Sequence, residues 1–258
     1  RHVQLFAEAH EVRGGGAVAA QGNVQKRRRD QPSNNRTRRR RPGVIFEDRA
    51  DAGRQLAEAL AVYADRPDAI VLALPRGGVP VGYEVAQRLR LPLDVYVVRK
   101  LGVPGHAELA MGALASDRTC IVDEKLIQSL HLDEGTLQDV IRHETDEIHR
   151  REKAYRDGRG QADVAGKTVI LVDDGLATGA TMRAAATALR RRNPAEIVVA
   201  VPVAARQTCA SLREVADRVV CFSTPAPFVA VGLYYENFDQ TSDEEVRRLL
   251  AARPGSRA

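Results

Sequence analysis

From Val44 onward the chain alternates short apolar runs with longer stretches in which apolar side chains recur every three or four positions. The runs are Ala69–Leu74 (AIVLAL), Asp94–Val98 (DVYVV), a weaker Thr119–Val122 (TCIV), Thr168–Val172 (TVILV), Ile197–Val203 and Arg218–Phe222. Several are apolar throughout rather than at every second residue, the mark of strands covered on both faces. Helical spacing occupies Asp51–Tyr63, Val79–Leu91, the charged stretch Asp133–Arg156, Gly179–Arg192 and Arg206–Ala216. Strand alternating with helix predicts an α/β fold, a doubly wound parallel sheet with helices on both faces. Asp133–Arg156 carries few apolar positions and is expected to lie across the surface.

Residues 1–43 break the pattern. They hold eleven Lys and Arg against three acids, with GGG at Gly14–Gly16 and the polar run QPSNN at Gln31–Asn35. The whole chain is +5, so the remainder is −3 and the basicity belongs to this arm. Such a segment cannot bury a core and is expected to be disordered. It contacts nucleic acid, if at all, through phosphates, since no aromatic residue is interleaved with its arginines. The domain reading is an arm over 1–43 and a folded domain over 44–254. No run approaches the roughly 18 apolar residues of a membrane helix, and no secretory signal pattern is visible. With three cysteines at spacings that suit no metal, these features predict a cytoplasmic protein with reduced thiols.

Chemistry concentrates after two of the predicted strands. Thr168–Val172 runs into Asp173-Asp174 and then Gly175-Leu176-Ala177-Thr178-Gly179-Ala180-Thr181, where a helix begins. Helix N-terminal amides with the Thr178 and Thr181 hydroxyls form a phosphate cradle, and Gly175 and Gly179 let backbone approach the anion. The two carboxylates suit vicinal hydroxyls or a hydrated Mg²⁺. Phosphate on the loop and diol on the acids together describe a sugar 5-phosphate. The Rossmann G-x-G-x-x-G and the P-loop Gly-Lys-Ser/Thr are both missing.

This run, VILVDDGLATGAT, resembles the 5-phosphoribosyl-1-pyrophosphate (PRPP) motif of type I phosphoribosyltransferases, and the resemblance extends over about Ile45–Val246. It implies the type I fold with a small hood built from the chain's ends, and Mg²⁺ held through water near Asp173 and Asp174. It makes Leu74-Pro75-Arg76-Gly77-Gly78 the pyrophosphate loop, with a cis Pro75–Arg76 bond and a fixed charge on Arg76. Arg99-Lys100 would be the basic pair meeting pyrophosphate. Leu101–Arg118 would be a mobile loop that closes over PRPP on Gly102, Gly105 and Gly112, with Glu108 or His106 as candidate acid or base. Pro227–Phe238 resembles a hood strand, with Phe228 stacking on the base. The family's implied reaction moves the phosphoribosyl group to a base nitrogen with loss of pyrophosphate, and Arg76, Lys100, Glu108, Asp173 and Asp174 would be its catalytic residues.

Two departures narrow this. Where 6-oxopurine enzymes carry an Asp, three residues past the second acid, this chain has Ala177, as adenine-type members do. Tyr234 stands where the hood would present an Asp. The expectation is a Mg²⁺-dependent pentosyltransferase of nucleotide salvage, purine-like in acceptor, working as a homodimer on PRPP and a small aromatic base, with no membrane partner. The rivals are a PRPP-sensing regulator that touches nucleic acid through the arm, and a hydrolase or phosphorylase of ribosyl phosphates. His143-Glu144 lacks the second histidine that a zinc helix needs.

Overall fold

The computed structural model describes residues 43–156 and 158–252, so the basic arm lies outside the described residues. Five apolar strands form one parallel sheet: β1 Ala69–Ala73, β2 Leu93–Val95, β6 Thr168–Val172, β7 Glu196–Val203 and β8 Arg218–Ser223, in the order β2-β1-β6-β7-β8. Every residue of β1 and β6 is buried, as their unbroken apolar text requires. Ala69 pairs with Thr168 and Ala73 with Val172, so the two strands run level and end together.

Strand alternation divides the core. Val71, Ala73, Ile170, Val172, Val198 and Ala200 face one layer, built by α1 (Arg49–Ala59), α2 (Gly78–Leu89), the long α4 (Glu134–Arg156) and α7 (Asp243–Ala251). Ile70, Leu72, Val169, Leu171, Val199 and Val201 face the other, which includes α5 (Ala180–Arg190) and Leu212 just past α6 (Arg206–Ser211). The strand order reverses between β1 and β6. In such sheets the ligand crevice opens beyond the carboxyl ends of the strands at the reversal.

Between β2 and β6 the chain departs from expectation. Leu101–Arg118 is a hairpin rather than a loop: β3 (Val98–Val103) pairs antiparallel with β4 (His106–Ala115), and β4 with β5 (Cys120–Val122), giving a second sheet. The three glycines are not equivalent hinges. Gly105 takes φ +77° in the tight turn and Gly102 sits at a register shift. Gly112 is packed so closely under β5 that a Cβ would stand 2.3 Å from the Ile121 carbonyl oxygen. The DVYVV run is likewise split, β2 ending at Val95 and β3 starting at Val98. A short α3 (Glu124–Ser129) leads into α4, which buries only Leu137, Ile148, Tyr155 and Arg156 and lies across the surface as its charge predicted. Arg156 anchors its far end, donating to Asp94 Oδ2 and to the Val95 carbonyl, both at 2.7 Å.

The expectation of reduced thiols is corrected. Cys209 of α6 and Cys221 of β8 form a disulfide, while Cys120 stays free. The intervening chain carries no pattern that marks such a pair; the packing of α6 beside the sheet edge creates it. Among the described residues no helix is long and apolar enough to cross a membrane.

Candidate active site

The two motif loops leave adjacent strands and meet. The Leu74 amide donates to the Val172 carbonyl at 2.9 Å, carrying the β1–β6 ladder one residue beyond the sheet. The Pro75–Arg76 peptide that follows is cis, and α2 starts at Gly78. Close approach dictates the next two glycines. A Cβ on Gly77 would stand 2.1 Å from Asp174 Oδ2, and one on Gly78 would stand 2.7 Å from the Val172 carbonyl oxygen. The Pro75–Gly78 loop and the acid pair are therefore packed face to face.

The loop after β6 rests on the next crossover. The Leu176 amide donates to the Val203 carbonyl (3.0 Å), and the Thr208 hydroxyl donates to the Ala177 carbonyl (2.7 Å). Gly179, at φ +72°, turns the chain into α5 with no room for a side chain, since Thr208 Cγ2 would lie 2.6 Å from its Cβ. Ala177, Thr178, Ala180 and Thr181 stay exposed, Gly179 and Leu176 are buried, and Gly175 packs under Val231. The start of α5 thus lies among exposed residues, its Ala180 amide donating to Thr178 Oγ1 at 3.5 Å, and a helix N-terminus of this kind can bind a phosphate.

Burial raises the carboxyl of Asp173 well above the ordinary range, with the neighbouring Asp174 charge as second cause. Asp174 is also raised by burial, against the pull of Arg49. Asp173 Oδ1 accepts from the Asp174 amide (2.9 Å), and Asp174 Oδ2 accepts from Arg49 Nε (2.8 Å). Each acid keeps one carboxylate oxygen without a partner among the described residues. Two such oxygens fit a hydrated divalent cation or a diol, and no described group of three or more ligands forms a protein cage for a metal.

Arg49 is the residue that motif reading missed. It is the first residue of α1, whose N-cap Asp48 accepts from the Asp51 amide (2.7 Å) while Asp51 accepts from the Glu47 amide (3.0 Å). A cation at this position opposes the helix dipole, which favours acids there. That local conflict was the available signal, because such conflicts collect at functional sites. Besides Asp174, Arg49 donates to the Asp239 carbonyl (2.6 Å) and lies over the Phe238 ring at 3.9 Å. Tyr235 completes the contact, its hydroxyl donating to the Asp174 carbonyl at 2.5 Å.

Both partners come from the hood, where the two ends of the domain pair: Ile45 and Phe46 amides donate to the Tyr234 carbonyl, and Glu236 and Asn237 amides to the Phe46 and Glu47 carbonyls. The expected hood strand is instead a single bridge, Phe46–Tyr235, preceded by a 3₁₀ turn over Val231–Tyr234. Tyr234 is buried, its hydroxyl donating to the Pro227 carbonyl, and half-buried Phe228 stacks on it with centroids 5.4 Å apart.

The basic residues occupy different places. Arg76 is half-exposed, with Nη1 3.9 Å from Asp243 Oδ1 of α7. Arg99 and Lys100 alternate across β3 and so point to opposite faces of the hairpin. Arg99 Nε donates to Glu144 of α4 at 2.5 Å, which also gives the HE pair of the sequence a structural role. Lys100 pairs in register with Ala113, on the face that packs toward α5. His106 is exposed at the hairpin tip, and the Glu108 side chain lies outside the described residues.

Comparison with known proteins agrees with this architecture. The family model described as "Phosphoribosyl transferase domain" matches residues 45–236. Two Mycobacterium tuberculosis proteins, from strains H37Rv and CDC 1551, both named "Putative phosphoribosyl transferase", are 46% identical over 206 residues, which is 80% of this chain. The chain spans about half the length of these relatives, since the match covers 46% of each. A solved structure from Thermus thermophilus, the protein TT1426, superposes with TM-score 0.74 at 40% identity, over 82% of this chain and all of that one. With the matched model spanning both loops and the hood as far as Glu236, this chain belongs to the phosphoribosyltransferase family and has its type I fold.

Proposed function

We propose that this chain transfers the 5-phosphoribosyl group of PRPP to a ring nitrogen of an aromatic base. The observation that carries the reading is the meeting of the two loops at the switch point, with Gly77 against the Asp174 carboxylate. In this reading residues 175–181 hold the 5-phosphate, and Asp173 and Asp174 hold the ribose hydroxyls. The backbone of Pro75–Gly78 and the Arg76 guanidinium receive the pyrophosphate. Lys100 adds charge from the hairpin, and Phe228 borders the base. The bond from C1 to the pyrophosphate oxygen breaks with its electron pair leaving on pyrophosphate. The base nitrogen's lone pair forms the new bond from the opposite face, and the proton it carried passes to solvent. Positive charge developing on the ribose is opposed by the acid pair, so catalysis comes from positioning and electrostatics. Mg²⁺, when bound, would supply charge neutralisation on the pyrophosphate and would be held by Asp173 and Asp174 through water. Ala177 and a hood without a base-facing acid favour a purine of adenine type. The domain responsible is taken as residues 44–254.

The test is to mix the full chain with PRPP, Mg²⁺ and a panel of adenine, hypoxanthine, guanine and uracil while following pyrophosphate. Release with one of these bases is expected. Tight PRPP binding with no release from any base would replace this reading with a PRPP sensor, and release without a base would replace it with a hydrolase.

A further inference from the structure

We propose that Arg49 is a positioning residue that couples the hood to the acid pair, so that Asp174 is set for ribose only while the hood is packed onto α1. This inference rests on the PRPP reading above. One planar guanidinium makes three contacts that join two distant parts of the chain, the acid pair and the hood. Nε donates to Asp174 Oδ2 at 2.8 Å, Nη1 donates to the Asp239 carbonyl at 2.6 Å, and the face of the group lies 3.9 Å from the Phe238 centroid. The Arg49 side chain is only 12% exposed and that of Asp174 15%, so water cannot substitute freely for either partner. Phe238 in turn packs on Tyr235 with centroids 4.9 Å apart, and Tyr235 holds the Asp174 carbonyl. The acid is therefore gripped at its carboxylate and at its backbone by one connected set of hood groups.

The grip has a geometric consequence. Asp174 Oδ2 lies where a Cβ on Gly77 would be, so a small rotation of this carboxylate changes its fit against the pyrophosphate-type loop. Holding Oδ2 on Arg49 leaves the other oxygen as the one offered to ligand. If the hood lifts, Nη1 and the cation–π contact lose their partners together, and the guanidinium is no longer fixed over Asp174. Lysine reproduces this arrangement only in part, because its three donors sit on one nitrogen rather than on separate atoms of a plane that stacks on Phe238.

The coupling is read by PRPP titrations in the presence of Mg²⁺ on the full chain, comparing wild type, Arg49→Met, Arg49→Lys, Phe238→Leu, Asp174→Asn and the doubles with Arg49→Met, with melting curves on each. Arg49→Met should weaken PRPP about 10- to 100-fold, by analogy with the range for groups that orient metal-binding side chains. Arg49→Lys should fall between wild type and Arg49→Met. Phe238→Leu, which no PRPP atom need touch, should weaken PRPP in the wild-type background and not further in Arg49→Met. Asp174→Asn should leave Arg49→Met without additional effect. Unchanged PRPP affinity in Arg49→Met overturns the proposal, as does an equal loss from Phe238→Leu in both backgrounds. Should Arg49→Met fail to fold, the same cycle run with Arg49→Lys decides on the same criteria. A wild-type chain that does not bind PRPP overturns the functional reading itself, an outcome separate from normal binding that ignores Arg49.

Discussion

A single missing methyl group sets the relation between the two loops. Gly77 is small because the Asp174 carboxylate occupies the space of its side chain, and that requirement yields a sharp expectation. Gly77→Ala should leave the fold intact, judged by circular dichroism, and lower the rate of pyrophosphate release about 100-fold, since displacements near 1 Å in a positioning group cost that much. Wild-type rates in this variant would show that Asp174 has free room to move. The motif residues themselves were legible in the sequence because each has a chemical reason to stand there: small residues for close approach, acids for a diol, hydroxyls beside helix amides. Arg49 was marked only by the oddity of a cation at a helix start, because its meaning depends on Asp239 and Phe238, which lie 190 and 189 positions away.

Among elements, the hairpin shows best why pattern reading stopped where it did. Val98–Ala115 is rich in Gly and Ala and mixes charged with apolar residues, so neither the strand period nor the helix period stands out. Its pairing is instead fixed by α4 and α5 packed on its two faces, with Arg99 held by Glu144. The helix pair α4–α7 was half legible: α4 by its length, α7 not at all. Glu147, drawn down to about 2 by hydrogen bonds from Arg150 and Arg151, ties into this pair, because Arg150 also reaches Asp243 at the start of α7. A carboxylate depressed in the folded state stabilises the protein fully above its unfolded value, and that stability is lost as pH falls from about 4.5 toward about 2. Thermal midpoints should therefore drop through that window more steeply in wild type than in Glu147→Gln. Parallel curves for the two proteins would remove Glu147 from the account. The disulfide also acts at this scale. It fastens α6, whose Thr208 supports the Ala177 carbonyl, to the edge strand β8. Closing so short a loop is worth about 3 kcal/mol against the unfolded chain. Reduction, or Cys209→Ser, should lower the denaturant midpoint accordingly, and equal midpoints in the two redox states would show that the bond contributes no stability.

For the molecule as a whole, the doubly wound parallel sheet was implied by the alternation of strands and helices and by the likeness of one motif, whereas the strand order comes from the structure. What the alternation could not supply was the clamp that keeps the long excursion from β2 to β6 in place. Arg156 performs it from inside, with its side chain 7% exposed and its guanidinium shared between Asp94, the Val95 carbonyl and Glu152. Removing the cation alone strands a buried carboxylate, so Arg156→Met should cost about 3–5 kcal/mol, and adding Asp94→Leu should return part of it. A denaturant series on the two variants checks both, and a double variant weaker than the sum of its parts would contradict the clamp.

The pairing of the domain's two ends carries a further implication for how the protein is made. Phe46 leaves the ribosome well ahead of its partner Tyr235, and the Arg49 contacts at Phe238 and Asp239 arrive some 190 residues after the arginine itself. At about 5–20 residues per second, the emerging chain waits about 10–40 s for the hood that its first helix needs. Once Asp173 and Asp174 emerge, and until the hood follows, the nascent chain displays an acid pair whose arginine is not yet held by Phe238 and Asp239. Competence for ligand would thus appear late and abruptly in synthesis, as a property of the completed domain rather than of the motif that announces it.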